Sequence, residues 1–134
     1  MIFIIGGEFQ GKLQYTLDLT GFDESNVADG LKDKIEDFFE KPIIYNFHLL
    51  IRRLLEEKKD IESIKDIVRN IIKENPEVVI ISNEIGYGIV PIEKFHREYR
   101  EATGRICCEV AKNAKEVHRV VCGIGNIIKE DEND

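Results

Sequence analysis

Four short apolar runs divide the sequence, and a predicted helix follows each of the first three. Runs of this kind, bounded by glycine or proline, are typical of strands buried on both faces of a parallel sheet. Strands that alternate with helices predict an α/β domain with a mainly parallel sheet and right-handed crossovers. The four runs cover residues 2–5, 43–47, 77–82 and 116–125.

The stretches between these runs place apolar residues at helical spacing. One amphipathic helix is predicted over residues 25–40, with Asp23 or Ser25 as its N-cap. Asp60 is predicted to cap a further helix, which Pro76 stops. The other predicted helices cover residues 12–18 and 48–59, and a long last helix is predicted to begin at Pro91.

The size and charge of the chain narrow its possible partners. A chain of 134 residues is expected to form a single domain over residues 1–134, in which residues 130–134 form a frayed acidic tail. The net charge of −7 argues against a nucleic-acid-binding face, because such faces carry an excess of Lys and Arg. It still allows a local positive site for one nucleotide.

The lack of a membrane-spanning segment or secretion signal, together with the cysteine spacing, indicates a reducing compartment. No segment contains the roughly 18 apolar residues that span a membrane, and the N-terminus carries no secretion signal. Because Cys107, Cys108 and Cys122 lack C-x-x-C spacing, neither a disulfide framework nor a zinc site is predicted. Cys107 and Cys108 are expected to pack in the core, with a redox role as the alternative. We therefore expect a cytoplasmic protein that does not contact a membrane.

A glycine-rich loop follows the first predicted strand and precedes a predicted helix. In phosphate-binding loops of the pattern G-x-x-x-x-G-K-[ST], backbone N–H groups and the lysine surround an anion. The last position of the pattern, a hydroxyl that ligates Mg²⁺, is Leu13 here. On the motif alone, nucleotide binding and a plain glycine turn are both open. The residues that fit the loop are Gly6, Gly7, Gly11 and Lys12.

A second metal-holding group is expected at the end of a neighbouring apolar strand, where such loops place an acid. The run 43–47 offers Tyr45 and Asn46 there instead. With Leu13 in the position of the hydroxyl, no metal site is predicted, and nucleotide binding with little Mg²⁺ is favoured over catalysis.

A second polar site follows the apolar run 77–82. Asn83 and Glu84 stand where that strand is predicted to end, and ligands of open α/β sheets bind at the carboxyl ends of strands. Both are therefore predicted binding residues, and the alternative is a strand-to-helix loop with Glu84 in solvent. The histidines are predicted to be surface or half-buried residues rather than ligands; they are His48, His96 and His118.

Residues 76–129 carry three further motifs. They are N-E-x-G-x-G-I-V-P at 83–91, R-x-x-x-G-R at 100–105 and V-V-x-G-I at 120–124. Together with the N-terminal IIGGEFQGK, this stretch resembles the adenosylcobinamide kinase/adenosylcobinamide-phosphate guanylyltransferase family. The resemblance implies a three-layer, RecA-like P-loop NTPase fold, ATP or GTP as a cofactor, and a place in cobalamin synthesis. It also implies a corrinoid substrate, a guanylylated histidine and assembly as a trimer.

The sequence departs from this family at positions that carry the family's chemistry. The phosphate-loop Ser is Leu13, and the pattern R-x-N-Q becomes R-I-C-C at residues 105–108. Residues 19–41 replace the segment that holds the nucleophilic histidine in the family, and they contain no histidine. His48 lies beyond that segment and is not a candidate for the nucleophile.

The resemblance and the departures together predict a divergent family member. It is expected to bind a nucleotide or a corrinoid intermediate, with kinase and guanylyltransferase activity weakened or lost. The nucleotide is expected to contact Gly7, Gly11 and Lys12. Two alternatives stay open: an interaction subunit that oligomerises through the family's trimer surface, and an active ATP- or GTP-dependent phosphotransferase with a rearranged site.

Overall fold

The computed structural model describes residues 1–85 and 93–131, and this part of the chain forms a six-stranded sheet flanked by helices. The strands are β1 (Ile2–Gly6), β2 (Val27–Asp29), β3 (Ile43–Tyr45), β4 (Val79–Asn83), β5 (Glu116–Val121) and β6 (Ile124–Glu130). The helices are α1 (Lys12–Thr20), α2 (Ile35–Phe38), α3 (Phe47–Glu56), α4 (Ile61–Glu74) and α5 (Lys94–Asn113), and a single 3-10 turn covers Glu24–Asn26.

The sheet is parallel over most of its width. Its strand order is β2-β3-β4-β1-β5-β6, and only the β5–β6 pair is antiparallel. The predicted α/β fold with a mainly parallel sheet is confirmed, and it is consistent with a three-layer P-loop NTPase domain.

Helices cover both faces of this sheet. On one face, α1 packs Leu13 and Leu17 against a small cluster of strand residues that includes Ile4 and Ile81. On the other face, the α3, α4 and α5 helices enclose the larger core, which includes Phe3. Neighbouring residues of a strand point to opposite faces, so each continuous apolar run supplies both clusters.

The predicted helix over residues 25–40 is wrong. Val27–Asp29 forms β2 and pairs in parallel with β3, and only Ile35–Phe38 is helical. Ala28, in the middle of β2, is fully buried. Pairing and burial in the sheet outweigh the helical spacing of this segment, because local propensity is a weak term beside tertiary contacts.

Two local features fix the path on either side of β2. A β-carbon at Gly30 would lie 2.3 Å from the carbonyl oxygen of Asn46, so the chain passes close to the start of α3. Asp23 caps the 3-10 turn rather than a long helix, and its carboxylate accepts a hydrogen bond from the Ser25 N–H at 2.8 Å. The cap residue was predicted, but the element that it starts was not.

The last predicted strand turns back as a hairpin. After Val121, residues Cys122 and Gly123 form the turn with φ angles of 51° and 75°, and β6 returns antiparallel to β5. Positive φ at both central residues is the turn geometry that suits the twist of a hairpin. Glu130 is the last residue of β6, and residues 132–134 lie outside the described part, so the single domain and the acidic tail stay predictions.

The remaining helices follow their predictions closely. Asp60 caps α4 and accepts a hydrogen bond from the Ser63 N–H at 2.8 Å. α5 begins at Lys94; Pro91, its predicted first residue, lies outside the described residues together with the rest of 86–92. None of the helices within residues 1–85 and 93–131 is long and apolar enough to cross a membrane.

Candidate functional site

A cavity of about 380 Å³ opens at the carboxyl ends of β1, β3 and β4. The loop after β1 lines one side of it, and the start of α3 lines another. Cavities of this size accommodate small-molecule ligands, and this edge is where open α/β sheets bind them. Its lining includes Gly11, Lys12, Leu13, Asn46, His48 and Asn83.

The glycines of the loop are required by its backbone path. A β-carbon at Gly6 would lie 2.5 Å from the carbonyl oxygen of Val120. Gly11 is the N-cap of α1 and has a φ of 81°, in the left-handed region that favours glycine. The loop therefore keeps a tight path from β1 into α1 that side chains at these two positions would disturb.

The turn of the β5–β6 hairpin holds the middle of this loop. The Cys122 N–H donates to Gln10 Oε1 at 2.7 Å, and the Gly123 N–H donates to the Gln10 carbonyl oxygen at 2.7 Å. The shape of the loop thus depends on a hairpin that the sequence did not predict.

Lys12 is a buried cation in the first turn of α1. Its side chain lies against the loop, and Nζ donates to the Gly7 carbonyl oxygen at 2.6 Å. Burial lowers the pKa of the Lys12 amine, whereas the negative charges of Glu8 and Glu84 raise it. A buried ammonium group is costly unless it is paired, because water no longer solvates it. The cavity therefore has a positive group that a bound anion would stabilise.

His48 lies in the first turn of α3 and is only 5% exposed. Its Nδ1 accepts a hydrogen bond from the Asn83 N–H at 3.2 Å. Burial and, to a smaller extent, the charge of Lys12 lower the pKa of His48 to about 4 against the opposing charge of Asp29, so the ring is neutral at pH 7. The predicted surface or half-buried placement of His48 is wrong. β3 ends at Tyr45 rather than at residue 47. A strand predicted to end at Tyr45 would have placed this histidine at the carboxyl edge of the sheet, where ligands bind.

The residues around the cavity do not fit a magnesium site. Leu13 packs against the apolar cluster under α1 and has no oxygen to offer. The lining includes one carboxylate, Glu8. Asp29, at the end of β2 and outside the lining, accepts hydrogen bonds at Oδ1 from Asn46 Nδ2 at 3.0 Å and from the Leu31 N–H at 2.9 Å. Over residues 1–85 and 93–131, no group of three or more His, Cys, Asp or Glu side chains is placed to hold a metal ion. Asp29 was missed because it fell inside a predicted helix.

Asn83 and Glu84 both lie at the end of β4, but of the two only Asn83 lines the cavity. Glu84 accepts a hydrogen bond from Arg119 Nε at 2.8 Å and is largely covered rather than in solvent. It borders a separate cavity of about 270 Å³ beside α5. The structure therefore brings Gly11, Lys12 and Asn83 together and pairs Glu84 with β5 instead.

Other histidines and cysteines lie outside the lining of this cavity. His118 is buried, contrary to prediction; its Nδ1 shares a hydrogen bond with Tyr15 Oη at 2.7 Å, and its Nε2 shares one with Glu116 at 2.7 Å. Cys107 packs against the larger core, and burial raises the pKa of its thiol to about 12. Cys108 is exposed, so the predicted core packing holds for Cys107 alone.

Comparison with known proteins identifies the family of this chain. The model of the cobinamide kinase / cobinamide phosphate guanyltransferase family matches residues 26–128, well over half of the sequence. The bifunctional adenosylcobalamin biosynthesis proteins CobU of Escherichia coli (strain K12) and Salmonella typhimurium (strain LT2) are each 45% identical to it over 53 residues. These residues make up 40% of this chain and 29% of each relative.

The matched range begins after the glycine loop. The description of the loop therefore rests on its own sequence and geometry and not on the family match. The relatives by name, and the family by its description, are linked to cobalamin biosynthesis. Because the family model covers most of the sequence, the chain belongs to the cobinamide kinase / cobinamide phosphate guanyltransferase family.

Proposed function

We propose that this chain binds a nucleoside phosphate, ATP or GTP, in the cavity between the Gly6–Lys12 loop and α3. We also propose that its kinase and guanylyltransferase activities are weakened or lost. The observation that carries the proposal is the combination of a buried Lys12 amine with a Leu13 side chain that offers no metal ligand. The amine favours an anion, whereas the missing hydroxyl removes one ligand of the Mg²⁺ that neutralises the charge developing during phosphoryl transfer.

The ends of two helices support anion binding at the same place. α1 and α3 both begin at the cavity, and neither has a side-chain hydrogen bond at its N-cap residue, Gly11 or Asn46. Free N–H groups and the positive end of the helix dipole attract phosphate at such positions. Family membership adds a corrinoid intermediate as a second candidate ligand.

Titration calorimetry with ATP and GTP, each with Mg²⁺ and with EDTA, tests the proposal. We expect binding that does not require Mg²⁺ and that weakens by about tenfold or more in Lys12→Met, because a charge-assisted hydrogen bond contributes about 1.5–3 kcal/mol. Lys73→Met, an exposed lysine in the last turn of α4, is the matched control and should bind as the wild type does. Undetectable affinity at millimolar nucleotide contradicts nucleotide binding. Turnover of cobinamide with GTP that is lost in Lys12→Met would instead establish an active enzyme with a rearranged site.

A second candidate function is an interaction subunit that forms oligomers. The observation in its favour is the edge strand β6, whose Ile124, Ile127 and Ile128 are each at least half exposed. Edge strands with apolar side chains pair readily with other chains. Light scattering on the wild type and on Ile127→Lys tests it: a larger species that the substitution dissociates supports the subunit, and a monomer in both contradicts it.

A further inference from the structure

His48 lines the cavity and uses one of its ring nitrogens for a hydrogen bond within the protein. Nδ1 accepts the Asn83 N–H, so in the neutral ring the hydrogen is carried by Nε2. Within residues 1–85 and 93–131, Nε2 has no hydrogen-bond partner. In the same residues, Thr103 Oγ1 is the side-chain polar atom that is both fully buried and without a partner. Nε2 also lacks a partner, so it is not fully buried. Nε2 therefore keeps some accessible surface, on a residue that is 95% covered and lines the cavity.

We propose that His48 is a second anion-binding residue of this site and donates its Nε2–H to the phosphoryl group that Lys12 attracts. The inference rests on the proposed function, because it concerns the ligand of the same cavity. It adds a hydrogen-bond donor on the α3 side, opposite the glycine loop. The ligand it favours is a nucleoside phosphate without a bound divalent cation.

The charges around His48 agree with this role. Lys12 is close enough to disfavour the protonated ring, and the carboxylate of Asp29 acts in the opposite direction. Asp29 Oδ1 accepts hydrogen bonds from Asn46 and from the Leu31 N–H, and in the described part of the chain no hydrogen bond joins Asp29 to His48. A phosphate between Lys12 and His48 would supply negative charge to both groups, and it would favour the protonated form of each.

The same geometry argues against His48 as a nucleophile. Attack by Nε2 requires a lone pair on that nitrogen, and hence the ring hydrogen on Nδ1. The Asn83 N–H already points at Nδ1, so the tautomer with a hydrogen there loses this bond and places two hydrogens face to face. The backbone at the end of β4 therefore selects the tautomer in which His48 donates.

Calorimetry with GTP in EDTA tests the inference on His48→Leu, which removes the donor, and on His48→Gln, whose amide retains one. We expect His48→Leu to bind about ten- to a hundredfold more weakly, as for the loss of a hydrogen bond to a charged group, and His48→Gln to recover part of that loss. His96→Gln changes an exposed histidine on α5 and should match the wild type. If the wild type binds no GTP, the proposed function and this inference both fail. If the wild type binds, Lys12→Met does not, and His48→Leu equals the wild type, the inference alone is overturned.

Nuclear magnetic resonance of the wild-type protein gives a readout that a merely structural role of His48 would not change, and it does not depend on whether a variant folds. In the free protein, the ¹⁵N shifts of the His48 ring should show a neutral imidazole with its hydrogen on Nε2. Saturation with metal-free GTP should move the Nε2–H signal and raise the pKa of His48. Unchanged His48 ring signals at saturating GTP would overturn the inference.

Discussion

His48 makes the stability of this protein depend on pH within a defined window. Burial and Lys12 lower its pKa to about 4, against the opposing charge of Asp29, from an ordinary value of 6.5. Between these two values the unfolded chain binds a proton that the native state does not. The free energy of unfolding therefore falls as the pH falls from 6.5 towards 4, and the loss is complete below the lower value.

The size of this loss follows from the two pKa values. One pKa unit corresponds to about 1.4 kcal/mol, so the difference between the unfolded and native His48 amounts to about 3 kcal/mol in full. At pH 4.5 most of it, about 2 to 3 kcal/mol, has been lost. Domains of this size have total stabilities of about 5–15 kcal/mol, so the effect is a large and measurable fraction.

Urea unfolding followed by circular dichroism at pH 7.5 and pH 4.5 measures this loss. His48→Gln does not titrate in this range, so the wild type should lose about 2 to 3 kcal/mol more than the variant between the two conditions. Comparing the two proteins cancels the carboxylates, which titrate in both. His96→Gln is the matched control and should keep the wild-type pH dependence, because His96 is exposed. Equal pH dependence in the wild type and His48→Gln would refute the argument that burial keeps this ring neutral.

Four further outcomes follow from the packing around α1 and α5. Gly125→Ala places a β-carbon about 2.1 Å from the ring of Tyr15, so it should lower the free energy of unfolding by about 1–3 kcal/mol in urea. Gly104→Ala on α5 meets open space and should raise it by up to about 1 kcal/mol; the reverse order of the two variants would contradict the packing. Tyr15→Phe leaves Nδ1 of the buried His118 without its partner and should lower the free energy of unfolding by about 1–3 kcal/mol, whereas wild-type stability would show that this hydrogen bond contributes nothing. Cys107 is partly buried, and burial raises the pKa of its thiol to about 12. It should react with iodoacetamide far more slowly than the two exposed cysteines, as followed by mass spectrometry, and the difference should vanish in urea; equal native rates would contradict the raised pKa.

The central strands could be predicted because their signal is local. The runs that form β1 and β4 are continuous, apolar and bounded by glycine or proline, and both faces of each strand are buried as that pattern predicts. The glycine loop could be placed for the same reason, since it stands between a clear strand and a clear helix.

The edge strands could not be predicted because their stability comes from partners distant in the sequence. β2 has only three residues, and its neighbours share the spacing of a helix; parallel pairing with β3 decides its conformation. β6 follows a turn of two residues, and its three isoleucines are exposed, so it lacks the signature of a buried strand. The placement of His48 depends on where β3 ends, and strand boundaries are set by pairing more than by composition.

The two kinds of residue in the glycine loop have different physical reasons to be present. Gly6 faces the carbonyl oxygen of Val120, and Gly11 has a positive φ, so the fold requires both whether or not a ligand binds. Lys12 has no such reason. Within residues 1–85 and 93–131, its buried ammonium has one hydrogen bond, to the Gly7 carbonyl oxygen, and burial disfavours its charge. An apolar side chain would fill the same space at lower cost, as Leu13 does one residue later. The glycines therefore follow from the fold, and the lysine is the residue on which the proposed anion site depends.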